Sequence, residues 1–411
     1  MGYGKTICAL AACKLLNLKR ILIVAPNNLK YQWANEINRF SMGDAVVVDN
    51  KNDIEKIIDQ KFIILSYEML NRNIESFVNF EYDILIADEI QKIKNPDSVS
   101  WKSMSRLKTN FIFALSGTPI QNTIEDILSI IRFLNPNEFQ PQWKFYTDYC
   151  DFTKTRLMGL KTSKLQQFKA KISRYIINPV VPPTAIKLPS VNQKLVICEL
   201  DEDSQSYHDQ HMERIRPLLA KSFNQPLTFS EKAILNSLMT KARMAATDAR
   251  LFDVLAQKSH RFINIELTIG EIIKRNEKVV IYSEWIKSTE LLFEFLKKTN
   301  ILYSVFNGSM SAKNRNSELN KFITNNEVKV FLSTDSGGLG IDGLQLAANN
   351  IIHIEKMWNP AKIKQRNGRL VRNLQKKDIV NIYNFTCESE IERMMDTATI
   401  RKEILINDIM F

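Results

Sequence analysis

The chain has 411 residues, 45% of them hydrophobic and 25% charged, with 56 Lys plus Arg against 45 Asp plus Glu and a formal net charge of +11. That balance fits a globular protein with more than one core, and no apolar run reaches the roughly eighteen residues a membrane helix needs, so no membrane partner is expected. The excess of base suits a polyanionic partner, though charge alone raises nucleic acid only modestly.

The opening Met1-Gly2-Tyr3-Gly4-Lys5-Thr6 fits neither a signal nor a transit peptide, and runs directly into an Ala/Leu-rich helical stretch. Short, unbroken, β-branched runs follow at 20–25, 45–48, 62–65, 83–87 and 111–115, with helical stretches between most of them. Such runs predict strands of a parallel sheet covered on both faces, and the alternation predicts a doubly wound α/β unit over residues 1–135. Residues 136–275 read mainly as helix, including 204–220 and 230–246, with one strand at 193–200 and an extended linker at Val180-Val181-Pro182-Pro183. The α/β rhythm returns over 276–387, with strands expected at 279–282, 303–306, 328–332, 351–354 and 379–385. The stretch 388–411 is expected to form a terminal helix. The fold class is therefore α/β, two parallel-sheet lobes flanking a mainly helical insert. Cys8, Cys13, Cys150, Cys198 and Cys387 are scattered, and with four histidines they fall in no metal-ligand spacing. They predict reduced thiols in a cytoplasmic or nuclear protein.

Four segments carry chemistry. In Gly2-Tyr3-Gly4-Lys5-Thr6 the glycines let backbone amides approach phosphate oxygens, the helix N-terminus adds positive potential, Lys5 can reach the β- and γ-phosphates, and the Thr6 hydroxyl can bind Mg²⁺. An ordinary glycine turn would look similar. Ile84-Leu85-Ile86-Ala87 is an apolar strand ending in Asp88 and Glu89, which a parallel sheet places at its carboxyl edge: Asp88 to hold the metal, Glu89 to polarise an attacking water. Acids also favour helix starts. Ser116-Gly117-Thr118-Pro119 follows the next strand and offers small hydroxyls at the same edge, or a plain strand–turn–helix start. Arg369 and Arg372 sit three apart after Gln365, so on a helix they share a face and can offer two guanidiniums to a γ-phosphate; a solvated basic helix is the plainer reading.

The ordered set resembles the Swi/Snf-type ATPases of helicase superfamily two. Its pieces are M-G-Y-G-K-T at 1–6, I-V-A-P-N-N-L-K-Y-Q-W at 23–33, I-L-S-Y-E at 64–68, D-E-I-Q-K-I-K-N-P at 88–96 and L-S-G-T-P-I-Q-N at 115–122. They continue with V-V-I-Y-S-E-W at 279–285, F-N-G-S-M at 306–310, S-T-D-S-G-G-L-G-I-D at 333–342, W-N-P at 358–360 and Q-R-N-G-R-L-V-R at 365–372. The resemblance covers nearly the whole chain. It implies two RecA-like lobes, paired helical protrusions in the insert, and a terminal brace helix. It further implies ATP and Mg²⁺ as ligands: Gly2, Gly4, Lys5, Thr6, Gln365 and Asp342 on the nucleotide, Thr6 and Asp88 on the metal, and Glu89 on the attacking water, with Arg369 and Arg372 as arginine fingers. Double-stranded DNA is the implied partner, met along its phosphates by Asn27, Thr118, Ser309, Ser333, Thr334 and Trp358, with a protein–DNA complex as a possible cargo. The implied function is translocation on duplex DNA without obligatory strand separation.

Three departures qualify this. The family's P-loop has an acidic first half, a strand leading into it and a glutamine motif that reads adenine, all before the position of Met1; the chain is thus expected to be truncated before the full P-loop. Gln91 stands where the family has a histidine, and its carboxamide still offers donor and acceptor. The stretch 341–346 is slightly expanded. A non-catalytic DNA-binding remnant or fragment, and a strand-separating helicase, stay open as alternatives.

Overall fold

The run Ile21–Ala25 is buried at every residue and forms strand β1 of the computed structural model, which describes residues 4–152, 157–177, 188–334 and 341–410. Around β1 assemble β2 (Ala45–Val48), β3 (Phe62–Ser66), β4 (Glu81–Asp88) and β5 (Lys108–Leu115) in the order β2-β3-β1-β4-β5, and every pairing is parallel. Alternating side chains feed two cores. Leu22, Val24, Ile63, Leu65 and Leu85 pack on one face. Ile21, Ile23, Ile64, Ile84 and Ile86 pack on the other, with Ala9, Leu10 and Cys13 of helix Lys5–Leu15 and Trp33 and Ile37 of helix Lys30–Arg39. This two-sided burial is why the strands read as continuous apolar runs.

The registers fix the carboxyl edge. Ala25 lies opposite Ser66, Val24 opposite Ala87, and Asp88 opposite Leu115. The segments after β1, β3, β4 and β5 therefore leave the sheet together, where open α/β sheets build their ligand sites.

Two short strands follow, β6 (Cys150–Phe152) and β7 (Leu157–Leu160). A second sheet then forms from β8 (Ser190–Cys198), β9 (Val279–Ser283), β10 (Leu302–Phe306), β11 (Val328–Thr334), β12 (Asn350–His353) and β13 (Ile379–Cys387), in the order β10-β11-β9-β12-β13-β8. All its pairings are parallel as well. The strand expected at 193–200 is β8, which joins this sheet as its outer member beside β13. The stretch read as helical insert thus gives a strand to the second α/β sheet. The linker expected at 180–183 lies outside the described residues.

The chain divides into two compact units, one of Met1–Asp151, Met158–Val181 and Ile404–Phe411, the other of Phe152–Leu157 and Pro182–Glu403. Within the second unit stand the long helices Glu202–Asn224 and Phe229–Thr247. The Asp201 side chain caps the first by accepting from the Ser204 amide at 2.9 Å, and Thr228 and Glu231 form a reciprocal capping box on the second. Met212, Ile215, Leu238 and Ala242 close the pair onto Ile391 of helix Glu390–Met410. Beneath it, Arg261 and Glu392 form a buried ion pair, each side chain at most 4% exposed. Among the described residues, no helix is long and apolar enough to cross a membrane.

Candidate nucleotide site

Gly4 is the first described residue and the N-cap of helix Lys5–Leu15, with φ +70°. That left-handed conformation is one glycine adopts without strain. A Cβ there would meet nothing within 4 Å, and the leading N–H groups of a helix have no intrahelical acceptor. Lys5 and Thr6 follow, both half-buried. Gly2 lies outside the described residues. Lys5, Cys8 and Ala9 also line a cleft of about 680 Å³ with Leu115, the last residue of the outer strand β5, and Ser116 after it.

Asp88 ends β4. One carboxylate oxygen accepts the Trp33 indole N–H at 3.0 Å, the other accepts the Glu89 amide at 3.0 Å, and the Asp88 carbonyl accepts the Tyr67 hydroxyl at 2.8 Å. Burial lifts the Asp88 carboxyl above its ordinary range and the Glu89 charge adds to this, while the Trp33 hydrogen bond and the Lys5 ammonium oppose it. Of the influences named, the Lys5 ammonium is the smallest.

Glu89 turns out of the sheet with φ +52° and ψ +53°. For a residue with a Cβ this is a strained conformation, held by the surrounding structure. Gln91 then spans the edge: its Nε2 donates to the Glu89 carboxylate, and its Oε1 accepts the Ser116 hydroxyl at 2.6 Å. Ser116 Oγ in turn accepts the Thr118 amide at 2.9 Å. Donor and acceptor of the glutamine are both used, as expected for a residue standing in for histidine. The acid pair and the Ser-Gly-Thr-Pro turn are thus tied into one hydrogen-bonded run.

Asn27 is exposed in the turn Asn27–Leu29, directly after β1 on the same edge. Thr118 is buried, at 8% exposure.

In the second unit, helix Pro360–Asn367 carries Gln365, and Asn359 caps it by accepting the Ala361 amide at 2.9 Å. Arg369 and Arg372 do not share a helical face. The helix stops at Asn367, with Gly368 as its C-cap, and the Asn367 carbonyl accepts the amides of Leu370 and Val371 at 3.0 and 2.8 Å, closing a turn that contains Arg369 and ends just before Arg372. They converge all the same. Arg369 donates to the Ile341 carbonyl at 3.1 Å and Arg372 to the Asp342 carboxylate at 2.9 Å. Asp342 also accepts the Gly343 amide at 2.9 Å, and Gly343 takes φ +96° where the expanded stretch turns.

Ser309 lies in the turn after β10, its hydroxyl donating to Asn307 at 2.7 Å. Ser333 and Thr334 end β11 and are 0% and 2% exposed, so their side chains face the interior. Trp358 is half-buried and packs against the cluster of Met212, Ile215 and Leu238.

Sequence reading missed Trp33, Tyr67 and Arg366. All three lie inside motif segments, but nothing in their spacing says which atoms they meet. Arg366 is 5% exposed and donates to the Ser283 carbonyl at 3.1 Å.

Thr6 and Asp88 are oxygen donors of the kind Mg²⁺ takes when phosphate and water complete its shell. Among the described residues, no group of three or more His, Cys, Asp or Glu gathers into a metal site.

The chain matches the SNF2-related domain over residues 1–257 and the helicase conserved C-terminal domain over residues 261–374. It is 26% identical to an uncharacterized ATP-dependent helicase of Mycoplasma pneumoniae, over 99% of this chain and 39% of that protein. It is 24% identical to the chromatin remodeling factor mit1 of Schizosaccharomyces pombe, over 100% of this chain and 31% of that protein. A solved SWI2/SNF2 ATPase core of Sulfolobus solfataricus in complex with dsDNA is 24% identical, with a TM-score of 0.44 over 100% of this chain and 88% of that one. The chain spans between 31% and 39% of the length of these two curated relatives. With its first 257 residues matching the SNF2-related domain and the helicase C-terminal domain after them, the chain belongs to the SNF2-related family.

Proposed function

We propose that this chain is the motor core of an ATP-hydrolysing enzyme that moves along duplex DNA through backbone contacts, without obligatory strand separation. The observation that carries the reading is the run from Glu89 through Gln91 and Ser116 to Thr118, beside an Asp88 that feels the charge of Lys5. These features support reading the helix start at Lys5 as phosphate-binding, Asp88 as metal-binding and Glu89 as water-activating, the two acids standing at the carboxyl edge of β4 and tied to a turn that can report their state.

Lys5 and the amides from Gly4 onward bind the ATP phosphates, with Gly2 contributing its amide. Thr6 and Asp88 hold Mg²⁺, which when bound neutralises phosphate charge. Glu89 takes the proton of the attacking water on its carboxylate, and the Gln91 amide orients that carboxylate. Gln365 and Asp342 contact the nucleotide, and Arg369 and Arg372 stabilise the charge that develops on the transferred phosphoryl group. Asn27 and Ser309 meet DNA phosphates. Thr118, Ser333, Thr334 and Trp358 shape the loops that do so, as their burial suits support better than direct contact. In this scheme residues 1–135 and 276–387 are the two lobes, 136–275 the helical insert with the added strand β8, and 388–411 the brace. A protein–DNA complex is the cargo this reading proposes.

The test is ATP turnover of the purified chain with and without duplex DNA. Turnover should rise with DNA, fall with salt as phosphate contacts weaken, and vanish in Glu89→Gln. Healthy basal turnover with a flat DNA response would sink the translocase reading, and DNA binding without turnover would favour a non-catalytic binder. A strand-displacement assay separates translocation from unwinding.

A further inference from the structure

A buried arginine far from the motifs ties the long helical pair to the segment that carries Gln365. Arg243 stands near the end of helix Phe229–Thr247 and is 8% exposed. Its Nη2 donates to the Lys356 carbonyl at 2.8 Å and forms an ion pair with Glu284, and its guanidinium lies 5.2 Å from the Trp285 ring. Glu284 and Trp285 directly follow β9, and Lys356 follows β12, so one side chain joins the loops leaving two neighbouring central strands.

The same segment is held by a second buried arginine. Arg366, beside Gln365 on helix Pro360–Asn367, donates to the Ser283 carbonyl at 3.1 Å and lies 5.3 Å from the Tyr282 ring. Glu355, 3% exposed, accepts the Ser283 hydroxyl at 2.5 Å and the Glu284 amide at 3.2 Å. Residues 282–285 are thus held by two buried arginines, with Glu284 and Glu355 as the balancing acids. Burying Arg243, Arg366 and Glu355 with a half-buried Glu284 is a poor way to gain stability, since well-packed apolar residues do as well or better. What such a network supplies is one defined geometry.

We propose that Arg243 is a positioning residue that couples the helical pair to the Gln365–Arg372 segment through the 282–285 strand end. The inference rests on the motor reading above and names a part of it that no sequence motif contains. A displacement of the helical pair moves Arg243, Arg243 moves the strand end, and Arg366 carries the shift to Gln365 and the arginine turn. Misplacement of a reacting group by an ångström can cost on the order of a hundredfold in rate, so a link of this kind acts on turnover.

The experiment is DNA-stimulated ATP turnover of the full chain as wild type, Arg243→Gln, Glu284→Gln and the double variant. Each single change should lower the stimulated kcat about tenfold while KM for ATP and the affinity for duplex DNA stay within about twofold. The double variant should be no slower than either single, because both remove one shared interaction. Arg243→Lys, which keeps the charge opposite Glu284, should recover part of the rate. An unchanged kcat, a change confined to KM, or additive losses would overturn the proposal. If Arg243→Gln fails to fold, Glu284→Gln carries the test, having lost a charge and no volume. Failure of both to fold would make the pair a fold determinant only and overturn the positioning role. A wild type that DNA does not stimulate would overturn the motor reading instead, a result distinct from all of these.

Discussion

Trp33 donates its indole N–H to the carboxylate of Asp88 at 3.0 Å, joining the helix after β1 to the acid that ends β4. Burial holds the Asp88 carboxyl above its ordinary range, and this hydrogen bond is the largest of the influences that oppose it. Trp33→Phe should therefore raise it further and move the acid limb of the kcat/KM profile for ATP to higher pH. Stability follows the same sign. With the folded pKa above the unfolded one, the contribution of the protonated carboxyl is full below the unfolded value and is lost as pH rises through the folded one. The deficit of Trp33→Phe should thus be larger at neutral pH than in mild acid, as read by urea unfolding. A limb that stays put would remove Asp88 from the ionisations that govern turnover.

Gln91 makes a second prediction. Gln91→Leu leaves Glu89 unoriented and the Ser116 hydroxyl without its acceptor, and kcat should drop at least about tenfold, a modest share of what a positioned general base supplies. Gln91→His restores one donor and one acceptor and should recover much of the rate. Steady-state turnover with saturating DNA checks both, and equal activity of the leucine variant would show the bridge to be idle.

At Gly4 the space and the backbone give opposite answers. A Cβ would meet no atom within 4 Å, yet φ is +70°. Gly4→Ala should therefore cost about 1–2 kcal/mol through the left-handed backbone alone, and relieve it by rotating the amides that face the phosphates. Weaker nucleotide binding by calorimetry is the expected result; wild-type affinity would mean that the loop re-forms without glycine.

The Arg261–Glu392 pair is a stability matter. Burial alone would push the Glu392 carboxyl up, but the Arg261 guanidinium and hydrogen bonds from Thr386, Arg261 and the Cys387 amide hold it below the usual carboxylate range. Glu392→Ala leaves a buried guanidinium uncompensated and should destabilise the second unit by about 3–5 kcal/mol. Because the folded pKa is depressed, the wild-type contribution is full above the unfolded carboxylate value and lost as pH falls through the folded one. Denaturant midpoints of the two proteins should converge in acid.

Much of the first sheet was legible because its strands are buried on both faces, and apolar runs such as Ile84–Ala87 need no partner to be seen. The acid pair was legible for the same reason: a parallel strand that ends in two carboxylates has few places to put them. The arginine turn was misread, since three-residue spacing suggests a helix face, while Gly368 and the Asn367 carbonyl end the helix first. Trp33, Arg243 and Arg366 could not be assigned from sequence. Their partners lie 55, 41 and 83 residues away, and only the folded sheets bring them together. The membership of β8 was hidden by composition: Asn192, Gln193 and Lys194 look like surface, which is what an outer strand shows.

That outer strand has a practical consequence for anyone dissecting the molecule. A fragment begun near residue 276, where the α/β rhythm resumes, would discard β8 and strip nine residue pairings from the flank of β13. The bared ladder, running from Ile379 to Cys387, is an invitation to self-association. A fragment begun before Ser190 keeps the ladder sealed and carries the helical pair with it.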